Sequence, residues 1–455
     1  MKSVLTAIVS VLILIAPALG QSAAALKREL RKRETEAKKE KTAEAFVEVA
    51  QWASTQGLAA DAKRLFLVVL KQDPENEAAN LGIGNEKFDG KWLPAQKAEE
   101  LRKKALAAEY EAKGYSEVDG VWVPPDEVDD AKKGVFHHEG KLVSRDEKAA
   151  LLAGLVYHPV TGLLIAKADL AKAEQGQFPI GREGRWADLA QANRFHADAS
   201  SPWIVRSYYT TIATTLDMEK IESLKKGLDE TCEKLGPVLG GQPLPAYRPT
   251  ILIAATIDEY REFGNQFGDE TSAASAFLMS SENSLTLPFQ APVRAGICTA
   301  HQFAMAQYYA QHALGLAFLN GKCQESGADL PLWFQQGVGA LAGFYTDDRI
   351  GAHFCRTMVV VRGGVNDLRT FFNDFAINPD MEPEAINYNW TVAGLLLHFA
   401  TKGGDQGVTD KMVAVTEAFK QGDGVEKAVK ALQSALQAAE PKVAAHMQKL
   451  LDDNR

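Results

Sequence analysis

Cysteine is scarce in this chain: there are four in 455 residues, Cys232, Cys298, Cys323 and Cys355, and no two stand in a C-x-x-C pair. Without that spacing a structural zinc knuckle has no support. The even number admits two disulfides in any of three pairings, and buried free thiols are the other reading. Excess positive charge is also missing, because 59 acidic residues outweigh 50 Lys and Arg for a net charge of -9. A polyanion would meet no basic field, which argues against nucleic acid as a partner. Beyond the first twenty residues no apolar run approaches the roughly 20 residues that span a bilayer. No serine stands in a G-x-S-x-G elbow and no glycine-rich phosphate loop is present, so neither chemistry is expected.

What is present begins with an export signal. Lys2 supplies a positive start, Val4 to Ala16 an apolar core, and Ala18-Leu19-Gly20 a small-x-small cleavage site. We expect residues 1–20 to be removed, leaving Gln21 first, and the chain to work in the periplasm, at the cell envelope or outside the cell; an uncleaved anchor is the alternative. From Lys27 to Lys41 nearly every residue is charged, with Glu and Lys interleaved at helical spacing, and residues 21–42 thus predict a solvated helical arm lacking an apolar face. Residues 43–83 predict a helical hairpin. Ala62, Phe66 and Pro74 fall there at the spacing that closes a tetratricopeptide-like unit.

Between residues 84 and 196 one pattern recurs. Asp89-Gly90-Lys91-Trp92, Asp119-Gly120-Val121-Trp122, Glu139-Gly140-Lys141-Leu142 and Glu183-Gly184-Arg185-Trp186 each join an acid, a glycine, a variable residue and a large apolar residue. An acid-glycine pair between short apolar runs marks a two-residue hairpin turn, which needs positive φ. Gly84, Gly114 and Gly134 precede the first three copies at a constant distance, and Ser144 to Glu147 has capping-box spacing. The region therefore predicts repeated hairpin-helix units, with the tryptophans as small local cores.

From Ser200 the pattern changes. Residues 202–211, 250–256, 276–279 and Ser284 to Phe289 read as strands, Asp217 to Leu239 reads as a helix, and from Ala295 the chain reads as helical almost to its end. A small mixed or antiparallel-leaning sheet followed by a helical half is an α+β arrangement.

On this order lie Thr299-Ala300-His301-Gln302-Phe303-Ala304-Met305 and Leu330-Pro331-Leu332-Trp333-Phe334-Gln335-Gln336-Gly337, followed by Ile386 to Ala400. Residues 197–455 thus resemble the gluzincin (peptidase MA-like) zinc metallopeptidase domain of exported bacterial proteins. The resemblance implies a helix carrying H-E-x-x-H and a second helix bearing a glutamate ligand. Two histidines one turn apart would hold zinc and the glutamate between them would take a proton from its water.

Those positions are substituted here. If His301 is the first ligand, Gln302 replaces the base and Met305 the second histidine; an amide is no base and a thioether is a poor zinc ligand. In a second register His312 is the surviving histidine, and Tyr308 and Tyr309 replace the first ligand and the base. The gap to Gln336, which stands for the third ligand, is then 336 - 312 = 24 residues against 336 - 305 = 31. We read His301 as the start of the motif because an amide isostere of glutamate follows it. In either register the zinc site is lost and no cofactor is expected. The resemblance implies a non-catalytic cleft lined by His301, Gln302, Met305, His312, Trp333, Gln336 and Tyr388, which would bind a peptide, a protein or a cell-wall polymer. A hydrolase with a divergent site, or a structural envelope protein acting through its repeats, are the alternatives. Asn389-Trp390-Thr391 also matches a glycosylation acceptor.

Overall fold

The computed structural model describes residues 23–181, 184–280 and 294–455. Among them the chain is mixed α+β: N-terminal helices, β-hairpins with short helices, a five-strand mixed sheet and a largely helical C-terminal half. The expected signal peptide, the expected strand Ser284 to Phe289 and Glu183 of the fourth copy lie outside the described residues. The chain divides into two compact units, the first ending at Ser116 and the second running Glu117–Arg455. The division falls inside the hairpin series, with the first hairpin in the first unit.

The first unit contains α1 (Ala23–Glu40), α2 (Ala43–Thr55), α3 (Ala59–Gln72) and α4 (Glu77–Gly82). Contrary to expectation, α1 is not a free arm. Leu26, Leu30 and Ala37 are buried, and the last two join Phe46, Leu65 and Phe66 in one core. Three apolar residues spaced by four and seven make a stripe on one helix face, and the charge on the other faces hides it in the sequence. Arg64 of α3 forks onto Glu34 of α1 at 3.1 and 2.9 Å. Ala62 and Phe66 are buried where α2 and α3 meet. Phe66 also packs flat on α4, where a Cβ at Gly82 would fall 2.3 Å from its ring. Then come β1 (Asn85–Phe88), β2 (Lys91–Pro94) and α5 (Ala95–Ala112).

The other hairpin-helix units are β3 (Ser116–Val118), β4 (Val121–Val123) and α6 (Val128–Ala131); β5 (Phe136–His138), β6 (Lys141–Val143) and α7 (Arg145–Leu152); β7 (Leu155–Tyr157), β8 (Leu164–Ala166) and α8 (Leu170–Glu174); β9 (Phe178–Ile180), β10 (Arg185–Ala187) and α9 (Leu189–His196). In the first three turns both central residues have positive φ, 47° and 76° at Asp89-Gly90 for instance, as a type I′ hairpin requires. The glycine ahead of each hairpin donates its N–H to the carbonyl three residues back and so ends the preceding helix. Gly154 and Gly176 do this as well as Gly84, Gly114 and Gly134. Gly154 introduces a hairpin without an acid-glycine turn, β7–β8. Its turn is built on His158, whose Nδ1 accepts the N–H groups of Val160 and Thr161 at 3.2 and 3.3 Å while Nε2 bonds the Gln177 carbonyl at 3.1 Å.

The sheet domain contains β11 (Trp203–Arg206), β12 (Thr211–Thr214), α10 (Met218–Val238), β13 (Thr250–Ala254), α11 (Ile257–Phe267), β14 (Ala276–Leu278) and β15 (Gly296–Thr299). Strand order is β11-β12-β13-β15-β14, with the two central pairings parallel and the two outer ones antiparallel. The sheet is therefore mixed, and β15 stands where a helix was expected. All five residues of β13 are buried. Ile251 and Ile253 belong to the core shared with α10, and Leu252 and Ala254 to the core shared with α11, the two-sided burial typical of parallel strands.

The helical half comprises α12 (Phe303–Ser326), α13 (Leu332–Phe344), α14 (Asp348–Phe354), α15 (Leu368–Asn373), α16 (Pro383–Lys402), α17 (Gln406–Gln421), α18 (Val425–Ala438) and α19 (Glu440–Asp453). A π-helical turn, Cys355–Val359, continues α14. Helix α12 packs on β13, β14 and β15 and on α13, which packs in turn on α16. All four cysteines are free.

One ion-pair node joins the third hairpin unit to this domain. Ser144 caps α7 in a capping box with Glu147, as its spacing predicts. The same Glu147 carboxylate accepts Arg248 at 2.9 and 3.1 Å and Arg206 at 3.2 Å. Burial works to raise the Glu147 pKa, but the Arg248 guanidinium and the Ser144 N–H hold it below the usual carboxylate range. Removing one partner of a buried pair strands the other's charge, which costs about 3–5 kcal/mol. Glu147→Ala is expected to lose that much stability in urea unfolding, whereas Arg64→Ala, at the more exposed pair with Glu34, loses about 1 kcal/mol or less.

Candidate functional site

Helix α12 starts at Phe303, so His301 and Gln302 lie in the loop after β15 and are exposed. His301 Nδ1 bonds Thr299 Oγ1 at 2.8 Å, and Met305 is half-buried in the first turn of the helix. The register beginning at His301 is thereby overturned: a histidine outside the helix cannot share a helical face with Met305. The residues that do meet are His312 in mid-helix and Gln336 of α13, with His312 Nε2 3.1 Å from Gln336 Oε1. The helix start was misread because β15 is only four residues long and its residues were counted into the helix that follows.

The centre of this contact is closed. His312 is fully buried and Gln336 nearly so. Trp390 of α16 lies with its ring centroid 4.0 Å from that of His312, and Phe344 lies 5.6 Å away. Helices α12 and α13 come close because Gly339 faces the imidazole; a Cβ there would sit 2.6 Å from Nε2. Burial pushes the His312 pKa down to about 4, against a favourable bond to Gln336. The ring is therefore neutral at pH 7, with Nε2–H donating to the amide oxygen. Its Nδ1 and the Trp390 Nε1 are buried without a hydrogen-bond partner among the described residues.

The remaining candidates are spread through the core. Tyr308, one turn before His312, packs edge-on against Phe354 at 5.8 Å, and Tyr309 is partly buried against the same core. Trp333 donates its indole N–H to Gln433 at 2.9 Å and packs against Phe334 and Phe372. Tyr388 donates to the Gly364 carbonyl at 3.1 Å. Neither Trp333 nor Tyr388 lines an opening around His312. Asn389 is tied to the Ala376 carbonyl, and Trp390 and Thr391 are fully buried, so that acceptor sequence cannot be glycosylated in the folded chain.

Zinc does not fit this arrangement. His312 spends Nε2 on an amide, aromatic rings lie against it, and among the described residues no carboxylate joins it. Among the described residues no group of three or more His, Cys, Asp or Glu side chains is arranged to hold a metal ion. Two features had no signal in the sequence pattern. One is a surface groove of about 420 Å³ between Pro159 and Val160 on one wall and Glu222, Lys225, Lys226, Asp229, Glu230 and Glu233 of α10 on the other. The second is the meeting of Asp348, His398 and His446 from three helices. No protein-family model matches the chain, and no curated protein matches it. Among the described residues no helix is long and apolar enough to cross a membrane.

Two outcomes follow from the closed centre. The triple variant Gln302→Glu, Met305→His, Gln336→Glu should take up no more zinc than the parent chain, measured by metal analysis after dialysis, because His301 is off the helix. The second concerns acid. A histidine held at about 4 in the fold and at 6.5 when unfolded contributes stability that is complete above 6.5. As pH falls the unfolded chain takes up the proton and the folded one does not, so roughly 3 kcal/mol is lost between pH 6.5 and 4. His158 and His196, also lowered by burial, act in the same direction. Urea midpoints should fall across that window, with a shallower slope in His312→Leu.

Proposed function

We propose that this is an exported, non-catalytic, peptidase-like protein that binds a peptide, a protein or a wall polymer. The observation that carries the reading is the His312–Gln336 contact. A neutral imidazole bonded to an amide, sealed by Trp390, has neither a base nor an open metal position. The peptidase-like domain then acts as a rigid platform, and binding takes place on its surface. The groove beside α10 supports this: its size lies within the range of ligand sites, about 300–1,000 Å³, and its wall carries four carboxylates and two amines that can select a ligand by charge.

A second reading, a structural role through the hairpin-helix units, draws support from the Glu147 node, which makes the third unit a fixed part of the platform. The two readings differ in what the groove does. Full-length protein is expected to cleave no peptide from a mixed-sequence library, with or without added zinc. It should retain ligand on a peptide array or on wall-polymer fragments, and Glu230→Lys with Glu233→Lys should weaken that binding at least tenfold without moving the melting temperature. Turnover that survives in His312→Leu would sink the non-catalytic reading, and binding indifferent to the charge reversals would favour the structural one.

A further inference from the structure

The groups that meet at α16 and α19 are used by nothing described so far. His398 Nδ1 and His446 Nε2 face each other at 3.0 Å, and His398 Nε2 lies 3.3 Å from Asp348 Oδ1. Lys402 stands 3.6 Å from the same carboxylate oxygen. Each ring is held by an aromatic neighbour, Tyr345 stacking on His398 at 5.3 Å and Phe399 lying 5.4 Å from His446. His398 is buried, while His446 is partly exposed and the Asp348 side chain on the far side of His398 is exposed.

We propose that His398 and His446 form a bidentate site for a divalent metal of tetrahedral preference, Zn²⁺ or Co²⁺, with Asp348 orienting the inner imidazole. The spacing of the rings supports the geometry. Two imidazoles sharing a tetrahedral ion at about 2.05 Å, with about 1.15 Å from nitrogen to ring centre, have centroids about 5.2 Å apart. The observed centroid separation is 5.2 Å, which the present 3.0 Å hydrogen bond also gives, so the rings can exchange that bond for a shared ion by pivoting without a change in their separation. A right-angled pair would need about 4.5 Å and a collinear pair about 6.4 Å by the same construction. The helices need not move. The rings pivot until their lone pairs converge, the nitrogens part from 3.0 Å to about 3.3 Å, and the proton on His446 Nε2 passes through solvent to its own Nδ1, so that both rings bind neutral with no net proton release.

Asp348 is not a third ligand, because it holds the far nitrogen of His398. That placement fixes the tautomer, leaving Nδ1 free to bind, which is the usual second partner of a metal-bound histidine. Burial favours neutral rings at both positions, the form that binds metal. No third side chain among the described residues completes the set, so water fills the remaining positions and the site is open. This site is separate from the His312–Gln336 contact and does not depend on the function proposed above.

The test uses tag-free, full-length protein and the metals alone. Co²⁺ titration should reach one equivalent with the intense visible absorption of a tetrahedral ion, and Zn²⁺ should displace it and raise the melting temperature. His446→Gln should weaken binding at least tenfold, and Asp348→Asn about tenfold or more, the usual loss when an outer carboxylate is removed. Weak, octahedral Co²⁺ absorption in the parent chain overturns the proposal without recourse to any variant. So does saturable binding that His446→Gln leaves unchanged, since the exposed histidines would then be the ligands.

Discussion

Close approach of three helices governs the second half of this molecule. Gly339 and Gly343 of α13 lie against α12, and a side chain at either would collide with His312 or with its backbone. Gly394 of α16 meets Tyr345 and Ala340 in the same way. With the backbones this near, the polar side chains between them have no room for solvent. His312 and Gln336 must satisfy each other, and Trp390 fills what is left. Burial, the depressed histidine pKa and the lack of an opening are consequences of one packing decision. A metallopeptidase centre needs the opposite, space at that crossing for an ion, its water and a substrate.

The hairpin units show which parts of a fold are written locally. An acid-glycine pair admits few conformations, so the first three turns were legible residue by residue, as was the Ser144 and Glu147 cap. The β7–β8 hairpin was hidden because His158 does with a ring nitrogen what backbone twist does in the others. Helix α1 was hidden by composition: three apolar residues among fifteen charged or small ones suffice when the partner surface is already formed. β15 was hidden by length, since four residues cannot declare a period, and the misplaced start of α12 followed from it.

The candidate site was legible in kind and misplaced in detail. Of the three positions Gln302, Met305 and Gln336 that the resemblance grouped, only Gln336 meets one of the candidate histidines, His312. Its partner His312 could be chosen by the 24-residue gap but not by local motif, because Tyr308 and Tyr309 stand where the resemblance would have a histidine and a glutamate. Asp348, His398 and His446 could not have been grouped at all: they lie on three helices separated by up to 98 positions, 446 - 348, and are joined only by tertiary packing.

Glu147 has a consequence for the order in which the chain can become structured. Its helix, α7, is eight residues long, too short to persist alone in water. The guanidinium that secures it lies 101 positions further on. A chain emerging from its N-terminus must therefore hold this helix in suspense until the segment before β13 has appeared. Among the described residues the core of α1 to α4, by contrast, is drawn from positions 30–83 alone.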